Sequence, residues 1–255
     1  MNRGLVIIPT YNEADNIILL LGNIIGLSEK FDILIVDDNS PDNTAGLVRD
    51  FAEKQGLTDP GSSNIIYIES RQGKLGLGTA YLHGFRFALE KGYEFMFEMD
   101  ADFSHNPNDL MLLFNACAAE NYDIAIGSRY ITGVNVVNWP MGRVLLSYFA
   151  SAYVKFITGM PINDATAGFK CYKRRVLETI DLDNIRFVGY AFQIEMKFTA
   201  WKHGFRIKEV PIIFTERKRG ESKMSANIIK EAVLGVISMK IGSFFRRYQP
   251  FSHSG

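Results

Sequence analysis

The chain has few cysteines and no segment typical of a membrane-spanning helix. Two of its 255 residues are cysteine, Cys117 and Cys171, and their spacing fits neither a disulfide framework nor a zinc site. The apolar run over residues 144–154 is far shorter than the roughly 20 residues that a span needs. Since a strand pattern begins almost directly after Met1, we expect no signal peptide. The sequence therefore predicts a protein of a reducing compartment, soluble or peripheral to a membrane.

The sequence also lacks a charge imbalance and the standard nucleotide-binding fingerprints. The 28 Lys and Arg residues balance 28 Asp and Glu residues, so the overall charge gives no support for a nucleic-acid partner. The glycine-rich stretch 73–80 does not fit a P-loop, because Lys74 precedes its last glycines, and no segment completes G-x-G-x-x-G. These absences disfavour a P-loop ATPase and a dinucleotide-dependent oxidoreductase.

Short apolar runs alternate with helical patterns over the first half of the chain. The runs are rich in β-branched residues, as in strands that are covered on both faces. Predicted strands cover residues 5–8, 33–36, 65–68, 95–98 and 124–126, and predicted helices cover 14–25, 44–54, 79–91 and 107–120. This alternation predicts an α/β fold with a doubly wound, mostly parallel, Rossmann-like sheet. Ligands of such sheets bind beyond the carboxyl ends of the strands, where the polar clusters of this chain fall.

The alternation stops after residue 130. Further helices are predicted at 141–157 and 192–201, and residues 207–214 are predicted to form an edge strand because Pro211 cannot donate in a ladder. An amphipathic helix follows Lys223. We assign residues 1–225 to one catalytic domain and residues 226–255 to a C-terminal helix and tail that is not an independent domain.

Two aspartates at the end of the fourth predicted strand are the candidate centre of a site. Asp100 and Asp102 are separated by one residue, so in extended backbone their side chains point to the same side. Paired carboxylates repel each other unless a cation lies between them, and Mg²⁺ or Mn²⁺ suits such oxygen ligands together with substrate phosphates. From the spacing alone, two aspartates that merely shape a turn are an equally good interpretation, since Asn106 and Pro107 begin a helix directly afterwards.

Seven short motifs follow one another along the chain. They are Pro9-Thr-Tyr-Asn-Glu13, Val36-Asp-Asp38-x-Ser40-x-Asp42-x-Thr44, Gly73-Lys-Leu-Gly-Leu-Gly-Thr-Ala80, Asp100-Ala-Asp102, Gly127-Ser-Arg129-Tyr130, Ala167-Gly-Phe169 and Arg217-x-x-Gly220-x-Ser222-Lys223. In this order they resemble the family-2 inverting glycosyltransferases of GT-A fold, and most nearly the dolichol-phosphate (polyprenol-phosphate) mannosyltransferases. The resemblance covers nearly all of residues 4–245.

The resemblance implies a role for each motif. The implied donor-binding residues are Pro9, Tyr11, Glu13, Val36, Asp38, Asp100, Ala101, Asp102, Arg129, Arg217 and Lys223. The implied ligands of Mg²⁺ or Mn²⁺ are Asp100, Asp102 and Ser104, although many relatives carry Gln where this chain has Ser104. The candidate catalytic residues are Asp102, Arg129 and Lys223, and the candidate contacts to an acceptor phosphate are Arg143 and Ser147.

The reaction expected from the resemblance is transfer of mannose from GDP-mannose to a polyprenyl monophosphate. The carboxylate base and the Gln-x-x-Arg-Trp motif of the wider superfamily are missing, the nearest stretch being Gln193-Ile-Glu-Met-Lys. A phosphate acceptor needs no base, because its second pKa of about 6 leaves it largely ionised at neutral pH. Alternatives are another donor such as UDP-glucose, another acceptor with Glu195 as base, and a non-catalytic nucleotide-sugar-binding subunit.

A lipid acceptor also predicts contact with a membrane. The apolar helix at 141–157 and the C-terminal helix could lie at a membrane interface, although packing on the core is the simpler interpretation of each helix alone. We expect a peripheral protein at the cytoplasmic face of the membrane, and the sequence leaves open whether a separate anchoring subunit is needed.

Overall fold

The computed structural model describes residues 3–216 and 226–248, apart from the side chains of residue 190 and residues 226–232. Nine strands and eight α-helices lie in these ranges. The strands are β1 (Gly4–Thr10), β2 (Phe31–Asp37), β3 (Ile66–Ser70), β4 (Phe95–Glu98), β5 (Ile124–Ser128), β6 (Val136–Val137), β7 (Lys170–Lys173), β8 (Ile207–Pro211) and β9 (Phe214–Thr215). The helices are α1 (Ile17–Ile25), α2 (Thr44–Lys54), α3 (Leu77–Glu90), α4 (Leu110–Ala118), α5 (Met141–Thr158), α6 (Arg174–Thr179), α7 (Tyr190–Lys202) and α8 (Ala226–Gly242).

Within the described ranges, seven strands form a central sheet in the order β3-β2-β1-β4-β7-β5-β8. All neighbouring pairs are parallel except those of β7, which runs antiparallel between β4 and β5. The predicted α/β class with a mostly parallel sheet is therefore confirmed. The prediction of an edge strand is confirmed for β8 but wrong for its last residues, because Phe214 and Thr215 form β9 and pair with β6 in a separate two-stranded sheet.

Helices cover both faces of the central sheet, and the side chains of strand β1 pack against both layers. Leu5 and Ile7 pack into one fully buried cluster, on the side of α3 and α7. Val6 and Ile8 pack into a second cluster, on the side of α1, α2 and α4. Successive side chains of a strand point to opposite faces, so an uninterrupted apolar run is what two covered faces require. Each such side chain contributes about 1.5–3 kcal/mol by leaving water.

Helix α3 approaches strand β1 closely at a glycine. A Cβ atom built on Gly84 would lie 2.5 Å from Cγ2 of Ile7, a separation that real atoms do not tolerate. We expect Gly84→Ala to lower the free energy of unfolding by about 1–3 kcal/mol, since the extra methyl group forces the helix away from the sheet. Urea denaturation measures the change. In the matched control Gly22→Ala, on α1, the new Cβ meets no atom within 4 Å, and we expect a gain of about 0.5–1 kcal/mol from helix propensity.

Helices α5 and α8 pack against each other and leave apolar side chains in solvent. The Tyr153 hydroxyl donates to the Val233 carbonyl at 3.0 Å, and the Lys240 amine donates to the Thr158 carbonyl at 3.0 Å. Their exposed apolar residues include Met141, Leu145, Leu146, Phe149, Phe156, Leu234, Ile237, Ile241, Phe244 and Phe245, the last two of which follow the end of α8. We call these ten residues the apolar helix surface. Among the described helices, none combines the length and the hydropathy that crossing a bilayer requires.

Candidate functional site

The residues predicted to form a site follow the carboxyl ends of neighbouring strands. Tyr11 follows β1, Asp38 follows β2, Asp100 follows β4 and Arg129 follows β5. Main-chain bonds extend the alignment past the strand ends, as when the Asp38 amide donates to the Thr10 carbonyl at 3.0 Å. The structure therefore brings four separate motifs to one edge of the sheet, where open α/β sheets bind their ligands.

The loop after β4 holds both aspartates in defined positions. The Ser104 amide donates to Asp102 Oδ1 at 3.0 Å, and the Tyr81 hydroxyl donates to Asp100 Oδ1 at 3.2 Å. Phe103, between Asp102 and Ser104, has φ of 60°. A bulky residue in this left-handed region costs about 1–2 kcal/mol, and such strain is concentrated at functional sites. Tyr81 was not identified from the sequence, because it lies on α3, 19 positions before its partner.

Two later segments of the chain also hold this loop in place. The Ser104 carbonyl accepts a hydrogen bond from the Thr215 amide at 3.2 Å. The His105 ring stacks on Phe169 at 4.8 Å and meets the edge of Phe214 at 5.3 Å. Burial lowers the pKa of His105 to about 4, so the ring is neutral at neutral pH. His105 thus supports the loop through these ring contacts.

The turns after β1 and β2 are joined by polar side chains. Asp37 is buried and accepts hydrogen bonds from the Thr10 hydroxyl at 2.8 Å and the Ser40 amide at 2.9 Å. Asp42 accepts from the Ala14 amide at 2.9 Å. Asp37 therefore shapes the turn. The predicted nucleoside contacts lie on or beside these two turns, and they are Pro9, Tyr11, Glu13, Val36 and Asp38.

An arginine that the motifs did not include connects the nucleoside turns to the glycine-rich stretch. Arg71 donates to Asp38 Oδ1 at 2.6 Å and to the Thr79 hydroxyl at 2.7 Å. Lys74 lies above the Tyr11 ring, 4.7 Å from its centroid. Arg71 follows strand β3, so its position at a strand end was a usable signal. Its pairing partner, 33 residues away, could not be read from the sequence.

Arg129 is held by a buried carboxylate that the sequence did not reveal. Its Nε and Nη2 atoms donate to the two oxygens of Asp164 at 2.7 and 2.6 Å, and Nη2 also donates to the Thr166 hydroxyl at 2.8 Å. Burial alone would raise the pKa of Asp164, but the Arg129 guanidinium holds it below its usual value. The pair is therefore ionised, and the Arg129 charge has a fixed position at the end of β5.

A second arginine contacts the same indole ring as Arg129. The Arg143 guanidinium lies 4.2 Å from the centroid of Trp139, and that of Arg129 lies 5.4 Å from the same centroid. Arg143 also pairs with Glu216 at 2.8 Å. Ser147, one turn further along α5, is half-buried. Residues four apart share one helix face, so the two predicted acceptor contacts lie side by side.

Glu195 bonds the backbone of the loop that precedes its own helix. Its carboxylate accepts hydrogen bonds from the Arg186 and Phe187 amides at 2.8 and 3.1 Å, which ties the preceding loop to α7. Burial raises its pKa. Gln193 and Lys197 lie on the face of α7 that packs towards the sheet, and a residue two positions away on a helix points in roughly the opposite direction. These contacts favour a structural role for Glu195, and the alternative of an acceptor activated by Glu195 stays a prediction.

The remaining predicted positions divide into two groups. Arg217 and Lys223 lie outside the described residues. Asp100, Asp102 and Ser104 lie together, but the described ranges contain no group of three His, Cys, Asp or Glu side chains that could hold a metal ion. Two carboxylates with a hydroxyl are hard oxygen donors of the kind that hold Mg²⁺ or Mn²⁺ when substrate phosphates complete the coordination. The residues present therefore fit a cation that is bound together with a diphosphate.

Asp109, at the start of α4, offers a test of electrostatics on the same loop. Burial raises its pKa from 3.8 to about 6. Between pH 4 and 6 the folded protein then binds more protons than the unfolded chain, so stability falls as pH rises through this range. We expect Asp109→Asn, which keeps a residue suited to a helix N-terminus, to add about 1 kcal/mol at pH 7 after allowance for partial exposure. Urea denaturation should show that this gain vanishes below pH 4; an equal gain at both pH values would contradict it.

Comparisons with known proteins identify related sequences. The chain is 47% identical to the polyprenol monophosphomannose synthase of Mycolicibacterium smegmatis over 234 residues, which cover 92% of this chain and 85% of that protein. It is 44% identical to the undecaprenyl-phosphate mannosyltransferase of Micrococcus luteus over 234 residues, 92% of each chain.

The fold has solved counterparts at lower identity. A crystal structure of glucosyl-3-phosphoglycerate synthase from Mycobacterium tuberculosis, in complex with Mn²⁺, uridine diphosphate and glucosyl-3-phosphoglycerate, superposes with a TM-score of 0.64 at 16% identity. The match covers 98% of this chain and 82% of that chain. Residues 5–181 match the family described as glycosyl transferase family 2. The chain is a glycosyltransferase that belongs to this family and has its GT-A fold.

Proposed function

We propose that this glycosyltransferase moves mannose from GDP-mannose to the phosphate of a polyprenyl monophosphate, with inversion at the anomeric carbon. The observation that carries the proposal is that the guanidinium groups of Arg129 and Arg143 both lie against the ring of Trp139. Arg129 lies at the strand edge that also carries Asp100 and Asp102. Arg143 lies on α5, the helix that carries five residues of the apolar helix surface. Two anions, one of them lipid-linked, suit such a site. The names of the two mannosyltransferase relatives support the same donor sugar and acceptor class.

The donor would lie along the strand edge. The turns that carry Tyr11, Glu13 and Asp38 would hold the guanosine, and Asp100, Ala101 and Asp102 would face the diphosphate, with Arg129, Arg217 and Lys223 as its cationic contacts. Mg²⁺ or Mn²⁺, held by Asp100, Asp102 and Ser104, would supply positive charge to the departing diphosphate. Fixed donors around a leaving group need no reorganisation during the reaction, which is why such contacts are worth several kcal/mol.

The acceptor would attack without a protein base. An oxygen of the polyprenyl phosphate forms a bond to the anomeric carbon of mannose while the bond from that carbon to the diphosphate oxygen breaks. GDP leaves with the electron pair, and no proton is transferred because the phosphate is already ionised. Arg143 and Ser147 would place the phosphate, and the contact of Arg143 with Glu216 limits its movement.

The apolar helix surface would receive the lipid tail at the cytoplasmic face of a membrane. Phe156 is 86% exposed and Phe245 is 85% exposed. Lys155, Arg246 and Arg247 lie beside these rings along the chain, and basic side chains next to an apolar face favour anionic bilayers. A peripheral contact of this kind places the acceptor phosphate within reach of α5. A separate membrane-anchoring subunit could share the same surface.

A transfer assay tests the proposed reaction. The protein is incubated with Mn²⁺, radiolabelled GDP-mannose and a polyprenyl phosphate in detergent, in parallel with UDP-glucose as donor and with the unphosphorylated polyprenol as acceptor. We expect labelled lipid from GDP-mannose and polyprenyl phosphate alone. Equal transfer to the free polyprenol would contradict a phosphate nucleophile, and preference for UDP-glucose would contradict the donor assignment.

A vesicle experiment tests the apolar helix surface separately. We expect Phe156→Glu combined with Phe245→Glu to abolish most co-sedimentation with vesicles that contain anionic lipid, because two charges would enter the interface. The control is Leu19→Glu on α1, a site that is 65% exposed and lies outside this surface; its co-sedimentation should equal that of the parent. Unchanged binding of the double variant would show that another surface meets the membrane.

A further inference from the structure

Four buried polar side chains with no assigned role lie beneath Asp100. They are Glu98 on β4, Lys170 on β7, and Gln193 and Lys197 on α7, each at most 3% exposed. Glu98 Oε2 accepts hydrogen bonds from the Lys170 amine at 2.9 Å and from the Gln193 amide at 2.7 Å, and Lys170 also donates to Gln193 Oε1. We call these four residues the buried polar network.

The network reaches the site by two routes. Glu98 and Asp100 are two positions apart on an extended segment, so their side chains share one side. The second route runs through the backbone at Ala167 and Gly168: the Lys197 amine donates to the Ala167 carbonyl at 2.7 Å, and Lys170 donates to the Gly168 carbonyl at 3.3 Å. A Cβ on Gly168 would lie 3.8 Å from Gln193 Nε2 and 4.0 Å from Asp100 Oδ2. Gln193 of the network and the Asp100 carboxylate therefore both border the Gly168 backbone.

Stability alone is a weak explanation for charged groups in the interior. Taking charged side chains out of water costs several kcal/mol per ion, and well-packed apolar residues in their place are often neutral or stabilising. Lys170 and Lys197 both lie in the interior, and burial lowers the pKa of each. Outer partners of a metal site, in contrast, orient the ligands, and their loss commonly reduces metal affinity or activity by about 10- to 100-fold.

We propose that Gln193 and Lys197 are positioning residues, which hold Glu98, Lys170 and the Ala167–Gly168 backbone so that Asp100 is aimed at the metal-bound diphosphate of the donor. The proposal rests on the proposed function for the identity of the ligand. It extends the donor machinery to the inward face of α7, which none of the sequence motifs includes. It also gives a role to the stretch from Gln193 to Lys197, which is the nearest in this chain to the Gln-x-x-Arg-Trp motif of the wider superfamily.

Three variants separate positioning from simple support of the fold. Gln193→Leu removes the amide that bonds Glu98 at similar volume. The exchange Glu98→Gln with Gln193→Glu keeps one carboxylate and one amide around Lys170, which contacts both positions. Glu195→Gln is the control, on the opposite face of the same helix. Calorimetry measures GDP binding in the presence of Mn²⁺, the electron paramagnetic resonance signal of free Mn²⁺ reports metal binding, and thermal unfolding reports stability.

We expect Gln193→Leu to weaken Mn²⁺ and GDP binding at least about 10-fold and to raise the donor KM more than it lowers kcat. The exchange variant should return both affinities close to those of the parent, and the control should match the parent. A Gln193→Leu protein that is less stable but binds Mn²⁺ and GDP like the parent would overturn the proposal, as would a folded exchange variant that stays as weak as Gln193→Leu.

These readouts do not depend on the acceptor. A parent protein that binds Mn²⁺ and GDP but transfers no mannose to polyprenyl phosphate would refute the proposed function, while the comparison of variants would still decide the role of the network. A parent protein that shows no Mn²⁺-dependent binding of GDP would overturn the positioning proposal itself.

Discussion

Replacement of Asp102 by asparagine is expected to remove metal-dependent transfer while the fold is retained. The side chain is buried, and its Oδ1 atom accepts from the Ser104 amide at 3.0 Å. An asparagine oxygen can accept the same bond, so the loop and the conformation of Phe103 should persist. What disappears is one of the two negative charges that would hold the cation. We expect kcat/KM for transfer to fall by about 10²–10³, the usual effect of losing one preorganised contact to a leaving group.

Thermal-shift measurements with nucleotide sugars and Mn²⁺ test donor binding by the same variant in the absence of an acceptor. In the parent we expect GDP-mannose to give a larger Mn²⁺-dependent shift than UDP-glucose, because a ligand that binds the folded state raises its stability by mass action. The shift should be small in Asp102→Asn and unchanged in Asp109→Asn, which alters a carboxylate a short distance along the same loop. Equal shifts in the parent and in Asp102→Asn would refute the metal role of Asp102.

The placement of many candidate residues could be predicted, because each follows a recognisable feature of the local sequence. Tyr11, Asp38, Asp100 and Arg129 each follow a buried apolar run, and the edge of a parallel sheet gathers whatever follows its strands. The helix boundary at Asn106 was also visible, and the structure shows its side chain accepting from the Asn108 amide at 3.1 Å. The spacing of apolar residues and the residue types that begin or end helices give this information within a few neighbouring positions.

The parts that were not predicted depend on distant partners. Strand β7 has a polar pattern, because lysines begin and end its four residues. It is nevertheless a central strand, in which Lys170 pairs in the interior with Glu98, 72 positions earlier. The partner of Arg129 is likewise 35 positions away. A buried charge looks the same in sequence as an exposed one until its counter-charge is known. The sequence therefore predicted which residues lie together at the strand edge but not the contacts that hold them.

The Arg129–Asp164 pair is expected to separate stability from catalysis. Asp164→Leu leaves the Arg129 guanidinium buried without its carboxylate, and Arg129→Met leaves Asp164 in the reverse condition. Removing one member of a buried pair typically costs about 3–5 kcal/mol, whereas replacing both with apolar residues is often neutral. We therefore expect each single variant to lose about 3–5 kcal/mol in urea denaturation, and the double variant to be more stable than either single one.

Transfer activity should not recover in the double variant, although its stability does. If Arg129 supplies charge to the donor diphosphate, the double variant keeps a stable fold but still loses about 10²–10³ in kcat/KM, since the cation is gone. Steady-state kinetics at a temperature where all four proteins are folded makes the comparison. If transfer returned in the double variant along with stability, Arg129 would serve only the structure, and the positive charge at the diphosphate would have to come from other residues. The two cycles, one of unfolding free energies and one of rates, thus test separately what this pair does for the fold and for the reaction.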